Sequence, residues 1–286
     1  MISLIGAVIV VICVFGGYLM EGGHIEVLIQ PIELLIIGGA GAGSLLIAAP
    51  MPLIKAMVSQ TLGVLKINPI SKAQYLELLM LLYEVTKTAK ANPLSLEAHV
   101  EKPEASEIFK KYPGVLHNHH AIHFICDTLK VQISSPVSPY DLEDLMDKDM
   151  NAAHSEELKA PMAMSVVSDA MPGLGIVAAV LGVVITMGKL QMGKEVIGHS
   201  VAAALVGTFL GILISYGFLQ PLSKKMEANL MDQGKYIEVI KAGILAFAKD
   251  CSPKVCVEFA RRSIPPETRP DFEEVDKATS ALKGAA

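Results

Sequence analysis

The 286 residues are 52% hydrophobic, contain no tryptophan and carry a formal net charge of −5. That balance excludes a nucleic-acid binder built on a basic surface, and the way the charge is distributed excludes a single soluble domain. Residues 1–20, 34–54, 170–188 and 200–223 contain no Asp, Glu, Lys or Arg. At about 1.5 Å rise per residue, each window is long enough for a hydrocarbon core of roughly 30 Å. The chain therefore reads as all-α, a multi-pass membrane protein with four transmembrane helices and a helical cytoplasmic domain. Residues 1–50 hold the first two membrane helices, 51–169 the first part of the cytoplasmic domain, 170–221 the third and fourth membrane helices, and 222–286 the C-terminal cytoplasmic helices and tail.

The first helix, roughly residues 2–20, is rich in Ile and Val and suited to lipid. Its start lacks a basic segment and its apolar run is too long for a cleaved signal, so it is expected to stay as an anchor. Lys and Arg set the orientation. Eleven fall between Lys55 and Lys159 and eleven between Lys224 and Lys283, against Lys189 and Lys194 in the links on the other side. Lys55, Lys66, Lys224 and Lys225 lie close enough to helix ends to count. Both large polar regions and both termini are then cytoplasmic. Cys13, Cys126, Cys251 and Cys256 show no disulfide pattern and read as reduced thiols. Neither a cofactor nor a metal is expected.

Pro31 opens the second helix at a first-turn position, where its missing N–H costs nothing. Glu33 stands at the same end and reads as an interfacial carboxylate favoured by the helix dipole, with proton carrying as the alternative. Gly38–Ser44, GGAGAGS, lacks the Lys-Ser/Thr ending of a phosphate loop and reads as a surface for close helix packing. In the cytoplasmic region, Ser71 and Gln74 form a capping-box pattern before a helix whose apolar face holds Leu78, Leu79, Leu82, Tyr83 and Val85, with Glu77, Glu84 and Lys87 on the polar side. Pro93 ends it. The charged stretch to Pro113 reads as short helices and loops. His117–His123, HNHHAIH, pairs histidines at helical spacing but offers no obvious third ligand, so it reads as the polar start of a helix. Ser138-Pro139-Tyr140-Asp141 is a helix start, and the acidic helix after it reads as a solvated face. Beyond Pro221 the chain is expected to stay helical and pack back on the first cytoplasmic region, with a frayed tail from about Glu273.

The two inner membrane helices carry small residues at four-residue spacing: Ala178, Gly182 and Thr186 in the third, and Ala203, Gly207, Gly211 and Ser215 in the fourth. Such faces let backbones approach, either each other or a further helix. Thr208 is the one polar side chain deep in the fourth helix. Either it bonds the carbonyl four residues back or it lines a path for an ion or water. A proton path needs a titratable group or a water chain at depth. No Asp, Glu, Lys, Arg or His lies in the middle of any of the four helices, so a regulated ion conductor would take its carboxylate from a partner.

VFGGYLMEGG (Val14–Gly23), QPIELLIIGGAG (Gln30–Gly41), MPGLGIVAAVLGVV (Met171–Val184), VGTFLGILISYGF (Val206–Phe218) and VEFARR (Val257–Arg262) together resemble the MotA family of flagellar stator subunits, in order and spacing over nearly the whole chain. The resemblance implies a homopentamer around two single-pass MotB chains. The MotB aspartate carries the proton, and ion flow turns the ring so that the cytoplasmic domain pushes on the rotor protein FliG. No enzyme activity is implied. By the same resemblance, Pro172 and Pro221 couple conformational change at the cytoplasmic ends of the third and fourth helices. Thr208 faces the MotB aspartate. Ala179 and Gly207 stand where sodium-driven relatives of the PomA type have threonines, which favours protons. At the rotor interface, Glu97 matches the family's acidic position. The basic position is Ala89 here; the adjacent Lys90 matches a second basic position in some relatives and is expected to supply the charge at the rotor interface, although its direction on the helix differs by about 100°. The alternatives are an ExbB/TolQ-type energiser of outer-membrane processes, which typically has three membrane helices, and a metalloenzyme using His117–His123.

Overall fold

The computed structural model describes residues 2–64, 70–189, 191 and 193–283; Lys66 and the last three residues of the expected tail lie outside them. All regular structure among the described residues is helical. In chain order the helices are α1 (Ile2–Met20), α2 (Ile25–Leu28), α3 (Pro31–Ala48), α4 (Met51–Val64), α5 (Lys72–Ala91), α6 (Pro93–Glu101), α7 (Glu107–Lys110), α8 (Pro113–Leu116), α9 (His119–Ser134), α10 (Pro139–Glu157), α11 (Lys159–Met187), α12 (Lys194–Ile214), α13 (Gln220–Ala248), α14 (Pro253–Ser263) and α15 (Phe272–Lys283). A π-helical turn, Ser215–Leu219, joins α12 to α13. Among the described residues four helical stretches are long and apolar enough to cross a membrane: Ile2–Met20, Ile25–Ala48, Pro139–Met187 and Val196–Ala248. The chain divides into two units, Met1–Ile67 with Glu157–Asn229, and Asn68–Glu156 with Leu230–Ala286.

In the first unit α1 buries no residue, as an Ile/Val-rich lipid-facing helix should. It touches the rest through Phe15, edge to face with Phe209 at 6.4 Å between ring centres, and through Val10 beside Gly217. α3 buries only Glu33, Ile37 and Gly41, a seam at four-residue spacing. Ile37 packs with Met171, Ala178, Val206 and Leu210. Within Gly38–Ser44 the expected close packing is confined to Gly41, against the Met171 side chain; Gly38, Gly39 and Gly43 have open space where a Cβ would stand. A second cluster joins Met57 and Val64 of α4 to Ala160 and Met164 of α11 and Met226. The Ser223 hydroxyl donates to the Pro161 carbonyl at 2.8 Å. Large apolar side chains on α11, among them Ile176, Val180 and Val184, remain exposed in the isolated chain, as expected of a surface meant for lipid or other chains.

The second unit is a helical domain with its own core. α5 starts at the expected capping box: Ser71 N donates to Gln74 Oε1 at 2.8 Å, and Gln74 N donates back to Ser71 Oγ at 3.3 Å. The predicted face of α5 is buried, and so are Met80 and Leu81. The helix is enclosed on more sides than a half-buried face requires. Its polar side is covered too: Glu77 accepts from Gly114 N at 2.7 Å and Glu84 from Lys111 at 3.0 Å. Tyr236, Val239, Ile240 and Ile244 of α13 join this core with Phe109, Ile125, Leu129, Leu142 and Met146, the packing back that the sequence predicts. The acidic face of α10 is solvated, with Asp141, Asp144 and Asp149 exposed, and it also holds one cation: Asp147 accepts from Lys241 at 2.8 Å and Glu143 lies 3.6 Å from the same ammonium. One expectation is corrected. The tail is not frayed from Glu273, because α15 runs to Lys283 and buries Val275 and Thr279.

Candidate functional site

The site begins with the contact between α11 and α12, made backbone to backbone. A Cβ at Gly175 would meet the Gly207 carbonyl oxygen at 2.7 Å, and one at Gly211 would meet the Met171 carbonyl oxygen at 2.6 Å. Farther along, a Cβ at Gly182 would lie 2.6 Å from Ala204 Cβ. The small residues therefore bring these two helices together, with Gly175 added to the predicted set and Ala204 nearer than Ala203. Packing this close removes side-chain freedom from the seam and holds its neighbours in fixed register.

Thr208 and Ala179 are half-buried beside this seam, and Gly207 is buried within it. Thr61, Thr86, Thr128 and Thr186 each donate to the carbonyl four residues back, at 2.7 to 2.8 Å. Thr208 makes no such bond, and its hydroxyl has no hydrogen-bond partner among the described residues.

Glu33 lies in the first turn of α3, as expected, but is enclosed by the chain: the residue is 8% exposed, and Oε2 has no hydrogen-bond partner among the described residues. That oxygen lies 2.8 Å from where a Cβ of Gly207 would stand; the same point is 3.1 Å from Ala178 Cβ and 3.4 Å from Ala179 N. A carboxyl group of this chain thus lies beside two of the three predicted pathway residues. The seam Glu33–Ile37–Gly41 was the available signal, a four-residue spacing that places Glu33 on the buried face of α3.

Pro172 lies inside a continuous α11, and Pro221 is the second residue of α13, directly after the π-helical turn. Each proline lacks an N–H and crowds the carbonyl four residues earlier, namely that of Ser168 or Gly217. The chain stays helical through Pro221 by widening: Gln220 N donates to the Ser215 carbonyl, five residues back. Ser168 and Ser215 are fully buried and meet, hydroxyl to hydroxyl, at 3.1 Å, and Ser168 Oγ also lies 3.3 Å from the Ser215 carbonyl. The sequence reading missed Ser168; its signal was a lone serine four residues before a mid-helix proline.

In the second unit Ala89 is buried, which leaves no room for a basic side chain there, while Lys90 points outward. Lys90 Nζ donates to the Asp250 carbonyl at 2.8 Å and pairs with its carboxylate at 2.9 Å. Asp250 has φ of 62°, so this ion pair clamps a left-handed turn between α13 and α14. Glu97 is exposed on α6 beside a groove lined by Glu101, Lys102 and Lys130. Lys90 and Glu97 are not bonded to each other. His119, His120 and His123 are exposed at the start of α9, and no group of three or more potential metal ligands occurs among the described residues. Burial pushes the Cys126 and Cys256 thiols up to about 11, away from reactive thiolate.

Two family models match the chain: Motility protein A N-terminal over residues 4–93, and the MotA/TolQ/ExbB proton channel family over residues 117–238. The chain is 36% identical over 284 residues to Motility protein A of Escherichia coli (strain K12), covering 99% of this chain and 96% of the relative. It is 35% identical over 283 residues to Chemotaxis protein LafT of Vibrio parahaemolyticus, covering 99% of each. The fold is shared with the structure of C. jejuni MotAB (TM-score 0.77, 19% identity, 94% of this chain and 98% of that one) and with the flagellar MotAB stator complex of Bacillus subtilis (TM-score 0.75, 22% identity, 93% and 96%). With both models matched and relatives of this identity covered almost end to end, the chain belongs to the motility protein A family of MotA/TolQ/ExbB proton channels.

Proposed function

We propose that the chain is the ring-forming subunit of a proton-driven flagellar stator in the bacterial inner membrane, with both termini in the cytoplasm. Five copies surround the membrane helices of a MotB-type partner, which supplies an aspartate, and the ring drives the rotor protein FliG through the second unit. The observation that carries this reading is the Thr208 hydroxyl, without a hydrogen-bond partner among the described residues and held in register by the glycine contacts of α11 and α12. A hydroxyl in that state is ready to bond a partner's carboxyl group or a water in transit. Ala179 and Gly207 offer no side-chain oxygen, which disfavours sodium, an ion that must exchange its water for several oxygen ligands. Pro172 and Pro221 are the hinges that pass a change at the seam to the cytoplasmic side. Lys90 and Glu97 contribute charge at the rotor surface. Four membrane-length helices and full-length motility relatives leave the ExbB/TolQ alternative without an observation in its favour.

The test is proton uptake and swimming in cells carrying Thr208→Ala or Thr208→Val. Both variants are expected to assemble with the partner and to lose flux and torque together. Normal swimming in both would remove Thr208 from the pathway. Motility that follows external sodium and ignores a proton uncoupler would overturn the ion assignment.

A further inference from the structure

Among α1, α3 and the uncharged windows 170–188 and 200–223, Glu33 is the one charged residue type in the sequence. The residue is more than nine-tenths buried, with an oxygen that has no hydrogen-bond partner among the described residues. Evolution rarely leaves such a group in apolar surroundings, because the unmade bonds are a standing loss of stability. In a membrane helix such a group is a candidate for an ion or proton path. A helix-terminal carboxylate would instead be satisfied by backbone N–H groups of its own first turn, whereas Glu33 Oε2 accepts from none among the described residues. The oxygen lies instead against the backbone of α11 and α12, close to Ala178, Ala179 and Gly207, one residue from Thr208.

We propose that Glu33 is a proton-carrying carboxyl of the pathway, seated in the space that Gly207 leaves by having no side chain. This inference rests on the stator reading above and adds a second carboxyl to the one the partner supplies. In the step it performs, the carboxylate takes a proton from water on the side where α3 begins, forming one O–H bond. It then gives that proton to the next acceptor, a water or the partner's carboxylate, and returns to its starting state. One proton enters and one leaves. A Cβ at position 207 would stand 2.8 Å from Glu33 Oε2, so the carboxyl must shift to accommodate one.

The experiment uses the full-length chain co-purified with its single-pass partner and reconstituted in lipid vesicles, with proton uptake followed by a pH-sensitive dye. A wild-type complex that does not conduct would sink the stator reading itself. Given a conducting wild type, Glu33→Gln keeps the side-chain shape and removes the exchangeable proton. Flux is expected to fall about tenfold or more while the partner still co-purifies. Glu33→Asp is expected to restore part of the flux with a displaced pH profile, which a purely structural role would not produce. Gly207→Ala is expected to lower flux although Glu33 is intact. Wild-type flux and pH profile in Glu33→Gln would overturn the proposal. Should that variant fail to assemble, a wild-type pH profile in both Glu33→Asp and Gly207→Ala would overturn it equally.

Discussion

Ser168 on α11 and Ser215 at the start of the π-helical turn meet at 3.1 Å in a fully buried contact, and each precedes a proline within a helix, Pro172 and Pro221. Pro172 leaves the Ser168 carbonyl without its helical donor, and Pro221 does the same to Gly217. The serine pair thus ties α11 to the π-helical turn where both helices have weakened backbone bonding. Ser168→Ala and Ser215→Ala are each expected to destabilise the protein in detergent, and the double variant by less than the sum. The expected coupling is about 0.6 kcal/mol, typical of a hydrogen bond between membrane helices. A thermal-unfolding cycle over the four proteins measures it. Strict additivity would mean the two hydroxyls do not act together.

The glycine seam makes a position-specific prediction. Gly175→Ala and Gly211→Ala put a methyl group within 2.7 and 2.6 Å of a carbonyl oxygen that is part of a helix backbone, so the helices must separate. Each should cost about 1–3 kcal/mol and lower the yield of folded protein. Gly173, two residues from Gly175, faces open space. Gly173→Ala should be neutral or slightly stabilising, because alanine restricts the unfolded chain. Equal effects at 173 and 175 would show that glycine matters here for helix propensity and not for contact.

The membrane helices and the α5 start were legible because they rest on local rules: an uncharged window, and a serine three residues before a glutamine. The glycine seam was legible as spacing, although the closest partners, Gly175 and Ala204, only emerge once two helices are docked. The burial of Glu33 was only partly legible. The Glu33–Ile37–Gly41 spacing puts it on the packed face of α3, but how closely it is enclosed is set by how α3 lies against α11 and α12. The π-helical turn was hidden for the same reason, since a proline announces a disruption without saying how the chain absorbs it. For α15 a signal existed and was outweighed by the charge of the tail: Phe272, Val275, Ala278 and Leu282 follow helical spacing. The direction of Lys90 was readable from the 100° step of a helix, whereas its engagement by Asp250 required the fold.

Lys241 tests how far the acidic face of α10 is structural. Its side chain is 15% exposed, against 48% for Asp147 and 44% for Glu143. The carboxylates remain hydrated while the ammonium is largely enclosed, so the pair is worth little more than a surface contact. Lys241→Met keeps the aliphatic stem and should cost about 1 kcal/mol or less. Lys241→Ala, which also loses the packing of the stem, should cost more. Thermal unfolding of both variants separates charge from packing, and a larger loss for Met than for Ala would reverse the assignment.

Glu258 gives a pH-dependent prediction. Arg261 donates to it through Nε at 2.7 Å and Nη2 at 2.8 Å, and Arg262 through Nε at 2.7 Å. These guanidinium groups, Arg261 foremost, hold its carboxyl down to about 2, from an ordinary 4.5. Arg261 also donates to the Pro270 carbonyl at 3.2 Å, so the carboxylate orients the side chain that fastens α14 to the loop before α15. A lowered carboxyl favours folding only while the unfolded chain would be ionised as well. The contribution is therefore complete above about pH 4.5 and disappears as the pH falls through about 2. Glu258→Gln keeps the shape and should cost about 1–2 kcal/mol at neutral pH. The difference between it and wild type should shrink steadily below pH 4.5, as read from unfolding midpoints. Stability curves that run parallel from pH 7 to pH 3 would show that the arginines are held by their backbone contacts and not by Glu258.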